Sequence, residues 1–253
     1  MRTGLFGGAF DPPHRGHFAL AERARAQLGL DRVLWIPTRI SPHKEAAAGS
    51  PAAGVRLELV RAALAGHAGH EAEACEVERD GVSYSLDTVR MLQAREAGTE
   101  WFFLLGADEL AILPTWKGFE ELKTLVTFAV HARDGARPTV PDGVRVTWLE
   151  GAEMSWSSRG IRADLLRCRS VREAVAPPVL RLIEEQALYG PVLKPGVRAH
   201  VETVVAAAAE LAARWRDWLA ARPAPLADAA ATAAAGRSHL AQRLALVGAD
   251  THE

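Results

Sequence analysis

The sequence predicts an α/β fold: a doubly wound parallel sheet with helices on both faces, continued by a helical C-terminal extension. Three observations predict it. Short apolar runs of strand length alternate with stretches that carry apolar residues at helical intervals, and this alternation builds parallel sheets covered on both faces. The first apolar run ends directly in a glycine pair, Gly7-Gly8, ahead of a helical stretch. Near residue 191 the composition shifts to alanine, arginine and leucine, which marks a second region.

The elements follow in order. Residues 2–6 form the first expected strand, and 16–28 the first helix, because Phe18, Ala21, Ala24 and Leu28 recur on one helical face. Further strands are expected at 32–36, 71–77, 101–105, 125–131 and 144–149, and all of these but 71–77 are rich in β-branched, aromatic or leucine residues. Further helices are expected at 55–65, 85–96 and 161–168. In such sheets ligands bind beyond the carboxyl ends of strands, where the strand order switches. The glycine turn and Gly106-Ala107-Asp108 both follow strands and are expected to meet at one mouth. Residues 1–190 are one expected domain. Residues 191–253 are an alanine-rich extension with helices at 196–221 and 225–247, separated by Arg222-Pro223-Ala224-Pro225.

Composition narrows the class. A chain of 253 residues with 49% hydrophobic content can bury a large core. Its net charge of -1 supplies no basic field, so nucleic acid is not an expected partner. Cys75 and Cys168 cannot make a disulfide framework, which suits a reducing cytoplasm; both are expected as buried small apolar residues. The glycine turn interrupts the first apolar run too early for a signal peptide, and no stretch is long and apolar enough to span a membrane.

The segment Gly7-Gly8-Ala9-Phe10-Asp11-Pro12-Pro13-His14-Arg15-Gly16-His17 carries the chemistry. Glycines without side chains can take positive φ and let an anion approach their N–H groups, and the prolines stiffen the exit. His14 and His17 fall on or just before the first turn of a helix, where unpaired N–H groups and the helix dipole favour negative charge. Histidines there can donate to phosphate oxygens.

This G-G-x-F-D-P-x-H-x-G-H string resembles the signature of the nucleotidylyltransferase superfamily, in the form of the bacterial nicotinate-mononucleotide adenylyltransferases. Further segments agree in order: Ser41-Pro42-His43-Lys44 after Ile36-Pro37, Ser83-Tyr84-Ser85 with Thr88, and Leu104-Leu105-Gly106-Ala107-Asp108 with Pro114-Thr115-Trp116. They continue with Ser157-Ser158-Arg159-Gly160-Ile161-Arg162 and end at Leu188-Tyr189. The likeness implies a Rossmann-like fold and transfer of AMP from ATP to nicotinate mononucleotide.

It also implies roles. His14 and His17 would hold the α-phosphate, and Lys44 and Arg162 would clamp the β- and γ-phosphates. Gly7, Gly8, Ala9, Phe10, Gly106, Asp108, Ser157, Ser158 and Ile161 would surround ATP, with Asp108 on the ribose hydroxyls; as a bare residue Asp108 equally suits a helix cap. Asp11, His43, Tyr84, Ser85, Thr88 and Trp116 would meet the mononucleotide. Trp116 would stack on the pyridine ring, with core packing its rival. Ser85 and Thr88 equally suit capping the following helix. His67, His70 and His131 match nothing in the pattern and are expected to be structural or surface residues. Mg²⁺ would ride on the ATP phosphates with mostly water ligands and no dedicated protein metal site.

The chain departs from the family pattern at Trp156 and Arg159, where a small aliphatic residue and threonine are usual. A guanidinium offers another phosphate donor, and Ser157 and Ser158 remain. The rival functions are adenylyl transfer to nicotinamide mononucleotide, phosphopantetheine or another phosphate or phosphonate acceptor, and a catalytically impaired nucleotide-binding regulator with the helical extension as its partner surface. Within that extension, residues 198–205 faintly resemble the first helix of a metal-dependent phosphohydrolase. That chemistry needs a His-Asp metal pair, and the chain contains no His-Asp dipeptide. The extension therefore reads as a degenerate remnant or a packing arm, able to pair with itself in a homo-oligomer or with its own core.

Overall fold

The computed structural model describes residues 1–43, 45–132, 137–151, 155–190 and 195–221. Six parallel strands make one sheet in the order β3-β2-β1-β4-β5-β6. They are β1 (Arg2–Gly8), β2 (Arg32–Pro37), β3 (His70–Ala72), β4 (Glu100–Gly106), β5 (Thr127–His131) and β6 (Val146–Leu149). The chain builds outward from β1 through β2 to β3, then returns to pair β4 with β1 and builds the other way. The switch point therefore lies between β1 and β4, where an open α/β sheet opens its ligand crevice.

The strands are apolar on both faces because both are covered. Leu5, Leu34, Ile36, Phe103, Leu105, Phe128 and Val130 enter one core, with Leu86, Val89 and Leu92 of α4 (Ser85–Arg95) and Phe119 and Leu122 of α6 (Phe119–Leu125). Their neighbours Phe6, Val33, Trp35, Phe102, Leu104 and Ala129 enter the opposite core, against α1 (Arg15–Leu28) and α2 (Ala53–Leu64). This is period-2 alternation with two buried sides. A third cluster joins Leu59 of α2 to Ile161 and Leu165 of α7 (Ser158–Leu166), Val179 and Ile183 of α8 (Pro177–Glu185), and Tyr189.

The strand expected at 71–77 is shorter. Pairing to β2 stops at Ala72, and α3 (Cys75–Glu78) follows as a single turn whose Cys75 N–H donates to the Glu73 carboxylate at 3.0 Å. A local side-chain bond to the backbone competes with the ladder at the sheet edge. The strands expected from 125 and 144 begin at Thr127 and Val146. Helices α5 (Ala107–Ile112), α6 and α8 are not legible in the periodicity. Cys75 is buried, its thiol pushed up to about 12 by burial, whereas Cys168 is only half-buried.

Residues 1–193 form one compact unit and 194–253 another. In the second, α9 (Pro195–Ala221) matches the helix expected at 196–221, and its Val204, Leu211 and Trp215 are exposed. The helix expected at 225–247 lies outside the described residues. None of the described helices is long and apolar enough to cross a membrane.

Candidate active site

β1 and β4 run side by side in parallel, so the segments after Gly8 and Gly106 open at the same end of the sheet. Gly7 and Gly8 do not supply the positive φ expected of them. They remain in β1, and the left-handed residue is Phe10, at φ 47°. Gly8 is needed for space: a Cβ there would meet the Phe10 ring at 3.2 Å. Phe10 is buried between Phe6 and Trp35, at centroid distances of 5.3 and 5.2 Å, and this packing holds the turn.

The turn delivers His14 to the N-cap of α1. The His14 Nδ1 accepts from the His17 backbone N–H at 3.4 Å, and the His17 Nδ1 accepts from the His14 backbone N–H at 3.2 Å. This is a capping box built from two histidines instead of serine and glutamate. The rings stack at 3.7 Å, and the edge of the pair rests on Phe10, 5.2 Å from His17. Burial lowers His14 to about 4, and burial together with His14 holds His17 well below the ordinary range. Both rings are therefore neutral at pH 7, with Nδ1 accepting and Nε2–H left as a donor. A neutral donor beside a helix N-terminus suits an anion that must be gripped without a full ion pair.

Asp11 does not face open space. It is 6% exposed, its Oδ2 accepts the Ser50 hydroxyl, and the Arg162 guanidinium lies 3.4 Å away. Asp11, expected to meet the mononucleotide, is thus buried, with one carboxylate oxygen, Oδ2, engaged by the protein. Arg162 also donates to the Asp11 carbonyl at 2.7 Å, and the Ser158 hydroxyl donates to the Pro12 carbonyl at 2.9 Å. Together they tie α7 to the turn. Ser157 caps α7, accepting from the Gly160 N–H at 3.1 Å, and Ile161 is buried beneath it. Arg159 is exposed.

At the end of β4, Asp108 lies in the first turn of α5 with its carboxylate folded back over Gly106. A Cβ at 106 would come within 2.4 Å of Oδ1, so only glycine admits that pose. Trp116 follows the 3₁₀ turn Leu113–Thr115, T-shaped on Phe103 at 5.8 Å, with the His43 ring stacked over it at 6.0 Å. Its indole N–H is buried and has no partner among the described residues. Tyr84 carries Lys117 over its ring at 4.0 Å. Neither Ser85 nor Thr88 caps α4: Ser85 is its first residue, and no side chain caps it. Thr88, expected to meet the mononucleotide, is 1% exposed, and its hydroxyl donates to Glu76 at 2.7 Å in a buried network. Lys44 lies outside the described residues.

Sequence reasoning missed the part that three residues play here. Arg56 is 7% exposed and donates to the carbonyls of Ala9 (2.5 Å), Thr38 (2.6 Å) and Pro51 (3.3 Å), joining the glycine turn to the loop after β2. Its signal was an arginine on the buried face of α2, next to Leu57 and three residues before Leu59. Ser50 and Tyr189 surround Asp11: nothing local announces Ser50, and Tyr189 was legible only as the end of the family pattern at Leu188-Tyr189. Of the extra histidines, His70 is buried, accepting from Trp35 Nε1 at 3.1 Å and meeting Glu22 at 2.6 Å, His131 is buried too, and His67 is exposed at the surface.

Known proteins resemble this arrangement. A family model described as cytidylyltransferase-like matches residues 5–164, and one described as CurL-like, PKS C-terminal, matches 205–253. A probable nicotinate-nucleotide adenylyltransferase from Exiguobacterium sibiricum is 44% identical over 189 residues, covering 75% of this chain and 99% of the relative. One from Methylibium petroleiphilum is 41% identical over 199 residues, covering 75% and 93%. Among solved structures, Plasmodium falciparum nicotinic acid mononucleotide adenylyltransferase complexed with NaAD superposes with a TM-score of 0.63 at 14% identity, over 74% of this chain and 97% of that one. The same enzyme complexed with APC gives 0.62 at 14% identity, over 74% and 96%. These structures share the fold, and identities above two-fifths across nearly whole relatives carry the kinship further: the chain belongs to the nicotinate-nucleotide adenylyltransferase family, within the cytidylyltransferase-like proteins.

Proposed function

We propose that this chain transfers AMP from ATP to nicotinate mononucleotide, forming nicotinate adenine dinucleotide and pyrophosphate in NAD biosynthesis. The observation that carries the reading is the reciprocal His14–His17 cap at the carboxyl end of β1, beside the switch point. A phosphate oxygen of the mononucleotide attacks the α-phosphorus of ATP. The new P–O bond forms as the bond to the bridging oxygen of the β-phosphate breaks, and pyrophosphate leaves. The protein donates no nucleophile; position and electrostatics carry the rate.

The Nε2–H groups of His14 and His17 grip the α-phosphate as charge moves to the leaving group. Arg162, and Lys44 by its place in the sequence, draw on the distal phosphates. Gly106 and Asp108 receive the adenosine, with Ser157, Ser158 and Ile161 presenting the start of α7. Trp116 offers a ring face to the pyridine, and His43, stacked on it, yields that face as the mononucleotide enters. Tyr84 and Ser85 at the start of α4 supply donors to the pyridine carboxylate. Mg²⁺ enters with its substrate, as MgATP. Residues 1–190 suffice for this chemistry, and the enzyme works in the cytoplasm.

The test is direct. Purified protein with MgATP and nicotinate mononucleotide is expected to release dinucleotide and pyrophosphate, faster than with nicotinamide mononucleotide. No dinucleotide from either acceptor overturns the reading. His17→Ala is expected to lower turnover by roughly a hundredfold or more.

A further inference from the structure

One aspartate in the turn is too deeply placed to meet a substrate and too heavily engaged to be filler. The Asp11 side chain is 8% exposed, against 19% for the Arg162 side chain beside it. Asp11 holds the same Arg162 Nη1 twice, by its carbonyl at 2.7 Å and by its carboxylate at 3.4 Å. The carboxylate is itself fixed by the Ser50 hydroxyl and lies in the field of the Arg56 guanidinium. Tyr189 closes the cluster. Burial, then the charge of Asp11, raises its phenol far above the ordinary range, so it stays neutral. Among the described residues Asp11 Oδ1 makes no hydrogen bond of normal geometry, and the neutral phenol of Tyr189 is the group set beside that carboxylate.

Two guanidiniums against one carboxylate leave net positive charge, and of the two Arg162 is the one partly open to solvent. A long arginine side chain otherwise loses considerable rotamer freedom when a phosphate recruits it. Asp11 meets that cost in advance by holding the guanidinium at one place. We infer that Asp11 is a positioning residue that acts on ATP through Arg162, presenting its guanidinium to the phosphates without touching the nucleotide. This rests on the reading that Arg162 meets ATP.

The test is a double-mutant cycle on the full chain, read as MgATP affinity by calorimetry: wild type, Asp11→Asn, Arg162→Ala and the double variant. Asp11→Asn keeps the shape and removes the charge. It is expected to weaken MgATP roughly tenfold in the wild-type background and less than about twofold in the Arg162→Ala background. A merely structural aspartate would weaken binding equally in both, and that additive result overturns the inference, as does wild-type affinity in Asp11→Asn. Wild-type affinity in Arg162→Ala, or no MgATP binding by the wild type, overturns it together with the role given to Arg162. If Asp11→Asn does not fold, Asp11→Glu carries the same cycle: its extra methylene displaces the guanidinium with the charge kept, and the same non-additivity is expected. Calorimetry requires no acceptor, so a wild type that binds MgATP but makes no dinucleotide refutes the proposed reaction while the cycle still decides the role of Asp11.

Discussion

His14 and His17 cap each other: each Nδ1 accepts the other residue's backbone N–H, at 3.4 and 3.2 Å, and the rings stack at 3.7 Å. One pair of contacts therefore starts α1, sets the tautomer of both rings and leaves two Nε2–H donors at the anion-attracting end of a helix.

That cap predicts a pH dependence. Burial lowers His14 from the ordinary 6.5 to about 4, so between those values the unfolded chain takes up a proton that the folded one does not. Stability is then full above about pH 6.5 and is lost as the pH falls toward 4, by about 2 kcal/mol from this group. Urea unfolding at pH 7 and pH 4.5 measures it. His14→Asn, which caps without titrating, is expected to remove much of the fall; an identical fall in the variant rules out His14 as its source.

Trp116 predicts selective loss. Its ring is braced by Phe103 at 5.8 Å and covered by His43. Trp116→Ala is expected to raise KM for the mononucleotide roughly tenfold while KM for ATP changes little, and Trp116→Phe to recover most of the difference. A larger effect on ATP than on the mononucleotide dismisses the stacking role.

Arg56 is a fork that lysine cannot copy. It reaches the carbonyls of Ala9, Thr38 and Pro51 from one planar group, whereas an ammonium is a point donor. Arg56→Lys is expected to cost about 2 kcal/mol, seen as a lower urea midpoint with an unchanged slope. Turnover with both substrates falls with it, because the glycine turn loses its brace.

Residues 1–193 form a compact unit. A chain ending at residue 193 is expected to keep the full-length rate within about twofold, since the core clusters around the sheet lie within that unit. A folded truncation that has lost turnover would assign a function to the extension.

Much of the site was legible because its chemistry is contiguous. Gly8, Phe10, His14 and His17 lie within ten residues, and their spacing already places a strand, a turn and a helix start. The order of strands and helices was legible for the same reason, since β1, β2 and β4 are unbroken apolar runs. Where the signal was short it failed: the segment after Ala72 looked like strand, yet the Glu73 carboxylate takes the Cys75 N–H and α3 begins there. Glycine chemistry misled as well. The pair at 7–8 was read for its torsional freedom, and the structure uses Gly8 for the room it leaves Phe10.

The sequence by itself determined the fold class, the anion-binding character of the first turn and the residue types able to move an adenylyl group, because these depend on local periodicity and on neighbours in the chain. Only the tertiary structure decided that Asp11 faces inward, that Thr88 belongs to a buried network, and that Arg56, Ser50 and Tyr189 belong to the site's support. The reason is burial. Asp11 and Arg162 stand 151 residues apart, and it is the packing of α7 against the turn that makes a buried carboxylate the partner of that arginine.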